Sequence, residues 1–349
     1  MSVKKEVFGK TRDGKEVDCY TIENKNGMTA KVITFGAILK NLYVPNAKGK
    51  VEDVVLGYDK LWMYFTNGSC FGSTIGPIAN RTKEGKFSVH NKKYQLAVND
   101  RKVNNLHTDL KNGFHKRLWD AEPGKNSVTL TLKKKHGEMG HPGNMTVSVT
   151  YALTDKNELK ITYHAESDKD TVVNMTNHSY FNLSGPKSNS IEATKLTLHA
   201  SSFTPVDQLA IPTGEVLPVK GTPLDFTKEK AIGRDIEKKV YKQMKICGGY
   251  DHNWVVDDWN GKVKLIACAR DTKSGRAMEV YTDLPGVQFY SGNFIGSNIG
   301  KEGFRNAKRK GFCLETQYFP NCAAEKNFVQ PLCGPDKDYD STTIYKFLW

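Results

Sequence analysis

The sequence predicts an all-β protein, a large twisted antiparallel β-sandwich with few short helices. Two observations carry that reading: hydrophobic residues alternate with a period of two along much of the chain, and helical periodicity is sparse. The clearest stretch has Val147, Val149, Tyr151 and Leu153 alternating with Thr146, Ser148, Thr150 and Ala152, followed by Leu159, Ile161 and Tyr163. Successive strand side chains point to opposite faces, so this pattern gives each strand one buried and one wetter face. Asp155-Lys156-Asn157 between the two runs reads as a turn, which makes the pair a hairpin.

Further strand signals recur around 30–44, 127–134, 195–200, 262–270 and 277–282. One helix is expected near 229–243, where Ile232, Ile236 and Val240 recur four residues apart with Gly233 inside the run. There is no internal repeat, low-complexity tract or Pro/Gly/Ser linker to divide the chain, so residues 1–349 read as one domain.

Composition removes several classes of function. No stretch approaches the roughly 20 consecutive apolar residues of a membrane span, and Met1-Ser2-Val3-Lys4-Lys5 lacks the apolar run of a secretory signal. The expectation is a soluble cytoplasmic protein, in which the Asn-x-Ser/Thr triplets at Asn67, Asn144, Asn174, Asn177 and Asn182 would not be glycosylated. Seven cysteines without a CxxC pair argue against a disulfide framework and a zinc cluster, and read as buried thiols. The formal charge of +13 comes mostly from dispersed lysines, with nine arginines among 51 cations, so it argues for solubility rather than nucleic-acid binding.

Among nine histidines, His178 stands out. It lies in Val173-Asn174-Met175-Thr176-Asn177-His178-Ser179-Tyr180-Phe181-Asn182-Leu183, where hydrogen-bonding side chains interleave with aromatics in a way that suits a sugar. Imidazole can donate or accept a proton near neutrality. The same segment also fits a core strand whose histidine holds a backbone carbonyl. Glu315, in Gly311-Phe312-Cys313-Leu314-Glu315-Thr316-Gln317-Tyr318-Phe319-Pro320, is a carboxylate in apolar surroundings, where a charge is costly without a purpose or a partner. A buried ion pair is the plain alternative.

From about residue 25 onward the chain resembles the aldose 1-epimerases, or galactose mutarotases. The matching segments are Ala79-Asn80-Arg81, Leu106-His107, Thr176–Leu183, Ile211-Pro212-Thr213-Gly214-Glu215, Asp251-His252-Asn253, Pro285–Tyr290 and Leu314-Glu315-Thr316-Gln317. The resemblance implies a mutarotase-like supersandwich with an open sugar cleft. It implies an isomerase that interconverts the α and β anomers of free hexoses such as glucose and galactose, with His178 as acid and Glu315 as base. It further implies that Asn80, Arg81, His107, Tyr180, Asp251 and Gln288 bind hydroxyls.

Each of these also has an ordinary reading: Arg81 as a surface cation, Asp251 as the end of a turn after Gly248-Gly249-Tyr250. A planar five-donor guanidinium and a carboxylate that accepts from two hydroxyls are nevertheless good sugar contacts. Departures from the family pattern occur at Pro77, at Thr108-Asp109 and at Asn321-Cys322, and bear on the cleft rim and sugar preference.

Proton transfer of this kind needs no cofactor, and His107, Asp251 and His252 show no metal-ligand spacing. The expected partner is a small hexose, with neither nucleic acid nor membrane. Two other functions compete: a relative acting on a phosphorylated hexose, which would need more cations in the cleft, and a sugar-binding protein without turnover, which would have no use for both His178 and Glu315.

Overall fold

The computed structural model describes residues 3–188 and 190–349, so Met1 and Ser2 of the N-terminal reading lie outside the described residues. Three antiparallel sheets dominate. The first is an N-terminal meander of five strands, Val3–Lys10, Glu16–Glu23, Thr29–Ile33, Ile38–Pro45 and Val51–Asp53, paired in sequence order.

The largest sheet has nine strands in the order Asp120–Pro123, Ser127–Lys134, Met145–Leu153, Glu158–Ser167, Tyr339–Leu348, Ala277–Thr282, Lys264–Arg270, Lys195–Leu198 and Lys230–Ala231. The predicted hairpin supplies its third and fourth strands: Val149 lies opposite Tyr163 and Leu153 opposite Leu159, with the turn at residues 154–157. The C-terminal strand then inserts beside Glu158–Ser167, so the sheet joins segments almost 200 residues apart in sequence.

The third sheet orders Leu217–Pro218, Ser202–Thr204, Asp251–Val255, Gly286–Tyr290 and Cys313–Gln317. One apolar core runs through all three sheets, taking Ile22 and Val32 from the first, Val147, Ile161 and Tyr345 from the second, and Trp254, Phe289 and Leu314 from the third. Alternation predicts this, since every second residue of each strand has to leave water. Tyr151 and Tyr345 reach across the layers as well, donating to the carbonyls of Ala37 at 2.7 Å and Leu314 at 2.9 Å.

The helix expected at 229–243 does not form. The chain runs as the short strand Lys230–Ala231, a 3-10 turn Ile232–Arg234 and further turns, and the α-helix Lys242–Cys247 begins only at the end of that window. Ile232 and Ile236 are buried, but Val240 is 99% exposed, so the four-residue spacing serves no apolar helix face. The buried carboxylate of Asp235 instead draws Lys230, Arg234 and Lys238 around itself at 2.9, 3.1 and 2.8 Å. Leu61–Thr66 is the other α-helix of the described residues, and none is long and apolar enough to cross a membrane.

Candidate active site

The third sheet forms the floor of a cavity of about 180 Å³. In its register Asn253, Gln288 and Glu315 lie side by side, as do Asp251, Tyr290 and Cys313. Directly opposed residues share a face, and so do residues two apart along a strand. Asp251, Tyr290, Cys313 and Glu315 therefore share the cleft face, whereas His252, Phe289 and Leu314 point the other way into the core. His252 packs edge-on against Phe203 and Trp254 there.

His178 comes from the short strand Thr176–His178, which pairs with Ser73–Ile75. Gly72 helps to seat it: its N–H donates to the His178 carbonyl at 2.9 Å, and its own carbonyl accepts from Leu39. Gly72 has φ +66°, and a Cβ there would collide with the Leu39 carbonyl oxygen, so this position requires glycine. The asparagines around His178, which by composition suited a sugar, do other work. Asn177 donates to Gly72 and Tyr151, Asn174 brackets the backbone of Tyr318, and Asn182 donates to the Lys310 carbonyl. Within that segment His178 and Tyr180 are the residues that line the cavity.

The His178 ring is held on several sides. Tyr180 stacks on it at 5.0 Å with an interplanar angle of 17°, while His107 and Tyr290 meet it edge-on. Its Nε2 faces Glu315 Oε2 at 3.7 Å, too long for a hydrogen bond. The Glu315 oxygen is buried with no partner. Burial, with Asp251 adding to it, pushes the Glu315 carboxyl well above the usual carboxylate range, and burial holds His178 down to about 4. Both shifts disfavour charge, so the state that suits this site has one mobile proton shared by the pair and no net charge.

His107 and Asn80 lock together: the Asn80 N–H donates to His107 Nδ1 at 3.1 Å, and the His107 N–H donates to the Asn80 carbonyl. Burial holds His107 well below its ordinary value, the His178 ring adding to that. It is therefore a neutral imidazole whose free Nε2 carries the hydrogen, a donor for an oxygen in the cavity. Arg81 is suspended between two carboxylates, Asp100 at 3.3 Å and Asp251 at 3.5 Å.

The structure brings His178, Glu315, Asn80, Arg81, His107, Tyr180 and Asp251 to the same cavity, together with Ser69, Cys70, Leu110, Tyr290 and Phe294. Gln288 stands behind it and donates to Asp251 Oδ1 at 2.7 Å. Asp100 and Phe294 carried no signal in the sequence. Phe294 stacks on Tyr290 and is 62% exposed at the mouth.

The departures from the family pattern fall outside the lining. Thr108 brackets the backbone of Ile78, Asp109 accepts from the N–H groups of Lys111 and Asn112 in its own loop, and Asn321 holds the backbone of Arg81 and Lys83. His178, Cys313 and Glu315 are close enough to suggest a metal set. Cys313 faces Nδ1, however, while Glu315 faces Nε2, and burial pushes the thiol well above its ordinary range, so the trio is poorly arranged to hold an ion as thiolate, imidazole and carboxylate.

Residues 18–346 match the family model for aldose 1-epimerase. A galactose mutarotase of Homo sapiens is 39% identical over 99% of this chain and 98% of its own length, and an aldose 1-epimerase of Escherichia coli is 33% identical over 96% of each. The crystal structure of a galactose 1-epimerase from Lactobacillus acidophilus superposes with a TM-score of 0.85 at 29% identity, covering 99% of both chains. Family model, full-length relatives and fold agree, and the chain belongs to the aldose 1-epimerase family.

Proposed function

We propose that this enzyme interconverts the α and β anomers of free hexoses, with Glu315 as base and His178 as acid. The observation that carries the proposal is the pairing of an unpartnered buried carboxylate oxygen with an imidazole nitrogen 3.7 Å away in a sugar-sized cavity. Ring opening needs two proton transfers. Glu315 takes the proton of the C1 hydroxyl as the C1–O5 bond breaks, and protonated His178 delivers one from Nε2 to O5. The open aldehyde rotates about C1–C2, and both transfers reverse on closure, so no cofactor is consumed.

Asn80, Arg81, His107, Tyr180 and Asp251 hold the sugar in this reading, with Gln288 acting through Asp251. Residues 1–349 are taken as one catalytic domain because a single core spans the three sheets. Among the described lining residues Arg81 is the one lysine or arginine, and Asp100 and Asp251 already neutralise it. That favours an uncharged sugar over a phosphorylated one. Polarimetry on freshly dissolved α-glucose and α-galactose tests the proposal: protein should speed the decay of rotation, and unchanged decay with both sugars would refute it.

A further inference from the structure

We infer that Cys313 is a positioning residue for His178: its sulfur secures the Nδ1 side of the ring so that Nε2 faces the sugar. The inference rests on the acid role proposed for His178. Cys313 Sγ lies 3.5 Å from Nδ1, on the opposite side of the ring from Glu315. Cys313 is fully buried and does not line the cavity, so it acts through the histidine and not on the substrate.

The register explains why it is there. Cys313 and Glu315 are two residues apart on one strand and share a face, so one strand supplies the group on each edge of the imidazole. During turnover His178 gives up and regains its Nε2 proton, while Nδ1 keeps its own and needs an acceptor. Histidines in catalytic sites are commonly held there by a carboxylate, which stabilises the imidazolium. A protonated thiol is a far weaker acceptor. Sulfur therefore orients the ring without making it a poor acid, which matters because a sugar ring oxygen is weakly basic. Burial keeps the thiol protonated, its range pushed well up.

Among the described residues no other side chain facing His178 duplicates this role, although the main-chain carbonyl of His178 itself also favours the imidazolium. Glu315 faces Nε2, Tyr180 covers one ring face, His107 and Tyr290 present ring contacts edge-on, and Asp251 favours the imidazolium from further off. His115, buried nearby, is held neutral at about 3 by burial.

The test compares Cys313→Ser, Cys313→Ala and Cys313→Asp by polarimetry across pH, with thermal melts and 15N NMR of the His178 ring, assigned with His178→Asn. Cys313→Asp should move the alkaline limb of kcat up by more than one pH unit and lower the plateau at least tenfold. Cys313→Ala should lower kcat about tenfold with KM within twofold and move the alkaline limb down. Cys313→Ser should restore kcat to within about threefold. If the limb and kcat stay at wild-type values in both the Ala and Asp proteins, the inference is wrong. Should the wild type lack mutarotation, the functional reading fails separately. The NMR arm then decides the contact: Nδ1 resonances of His178 unchanged between the wild type and folded Cys313→Ala overturn it, and a shift supports it. If the Ala and Asp proteins do not fold, Cys313→Ser decides on the same limb and resonance: both unmoved overturns the inference, and a shift in either supports it.

Discussion

Replacing Glu315 by glutamine keeps the shape and reach of the side chain and removes the group proposed to take the proton. General acid–base catalysis by a positioned side chain contributes typically ~10²–10⁴-fold, so kcat for mutarotation should fall by about that factor, equivalent to ~3–5 kcal/mol of transition-state stabilisation. The same change should not weaken the fold. Glu315 Oε2 is buried without a partner, and burial and Asp251 both work against its charge. A neutral amide avoids that, for an expected gain of ~1 kcal/mol, or roughly 1–2 °C in Tm. The assay is polarimetry for kcat and KM, a melt for stability and calorimetric titration with galactose for binding. Loss of turnover with binding preserved and Tm unchanged or raised is the expected outcome. A Glu315→Gln protein with more than about a tenth of wild-type kcat would put the proton acceptor elsewhere, and a Tm lowered by several degrees would mean that the carboxylate has a stabilising partner. Combining Glu315→Gln with His178→Asn should cost far less than the product of the single effects, because one proton-transfer partner has little left to do without the other.

The kcat–pH profile should be bell-shaped and broad: a second proton on the His178–Glu315 pair leaves a buried positive charge and loss of the last leaves a buried negative one, so burial moves the limbs apart; limbs that coincide near one pH would contradict the shared-proton state. Arg81→Ala and Asp251→Ala should mainly raise KM, and so should Asp100→Ala, which touches no sugar but releases Arg81; a loss of kcat of several orders of magnitude at constant KM would refute the binding roles. Asp235→Asn strips the carboxylate from buried Lys230 and should cost about 3 kcal/mol, roughly 4 °C in Tm. Burial opposes the Asp235 charge, but hydrogen bonds from Lys238, Lys230 and Arg234 outweigh it and hold the carboxyl well below its ordinary value; the wild-type advantage should therefore be full at pH 7 and fade as pH falls below about 4, and an advantage that persists in strong acid would refute the account. Treatment with a strong chelator and dialysis should leave mutarotation intact, and complete loss rescued by a divalent ion would defeat the mechanism.

Local pattern alone was enough for the β character, the hairpin of Met145–Leu153 with Glu158–Ser167 and its turn. Strand alternation is a property of neighbouring residues, and Met145–Leu153 and Glu158–Ser167 carry it without help from the rest of the chain. His178 and Glu315 also stood out as candidates, because an imidazole among polar groups and a carboxylate among apolar ones are anomalies of composition, while their proposed acid and base roles came from the family resemblance. What the residues do to one another was not legible, since it depends on which strands pair and in what register. Asp251 and His252 are adjacent in sequence, yet only the pairing of Asp251–Val255 with Gly286–Tyr290 turns one into the cleft and the other into the core. The same register puts Gln288 behind Asp251 and Cys313 behind His178. The composition of the His178 segment suited a sugar, yet its Asn177 and Asn182 donate to backbone carbonyls of distant segments. The helix expected at 229–243 failed for a like reason: a repeat of apolar residues states a preference of a fraction of a kcal/mol per residue, and the tertiary structure buries Ile232 and Ile236 but offers Val240 no apolar surface.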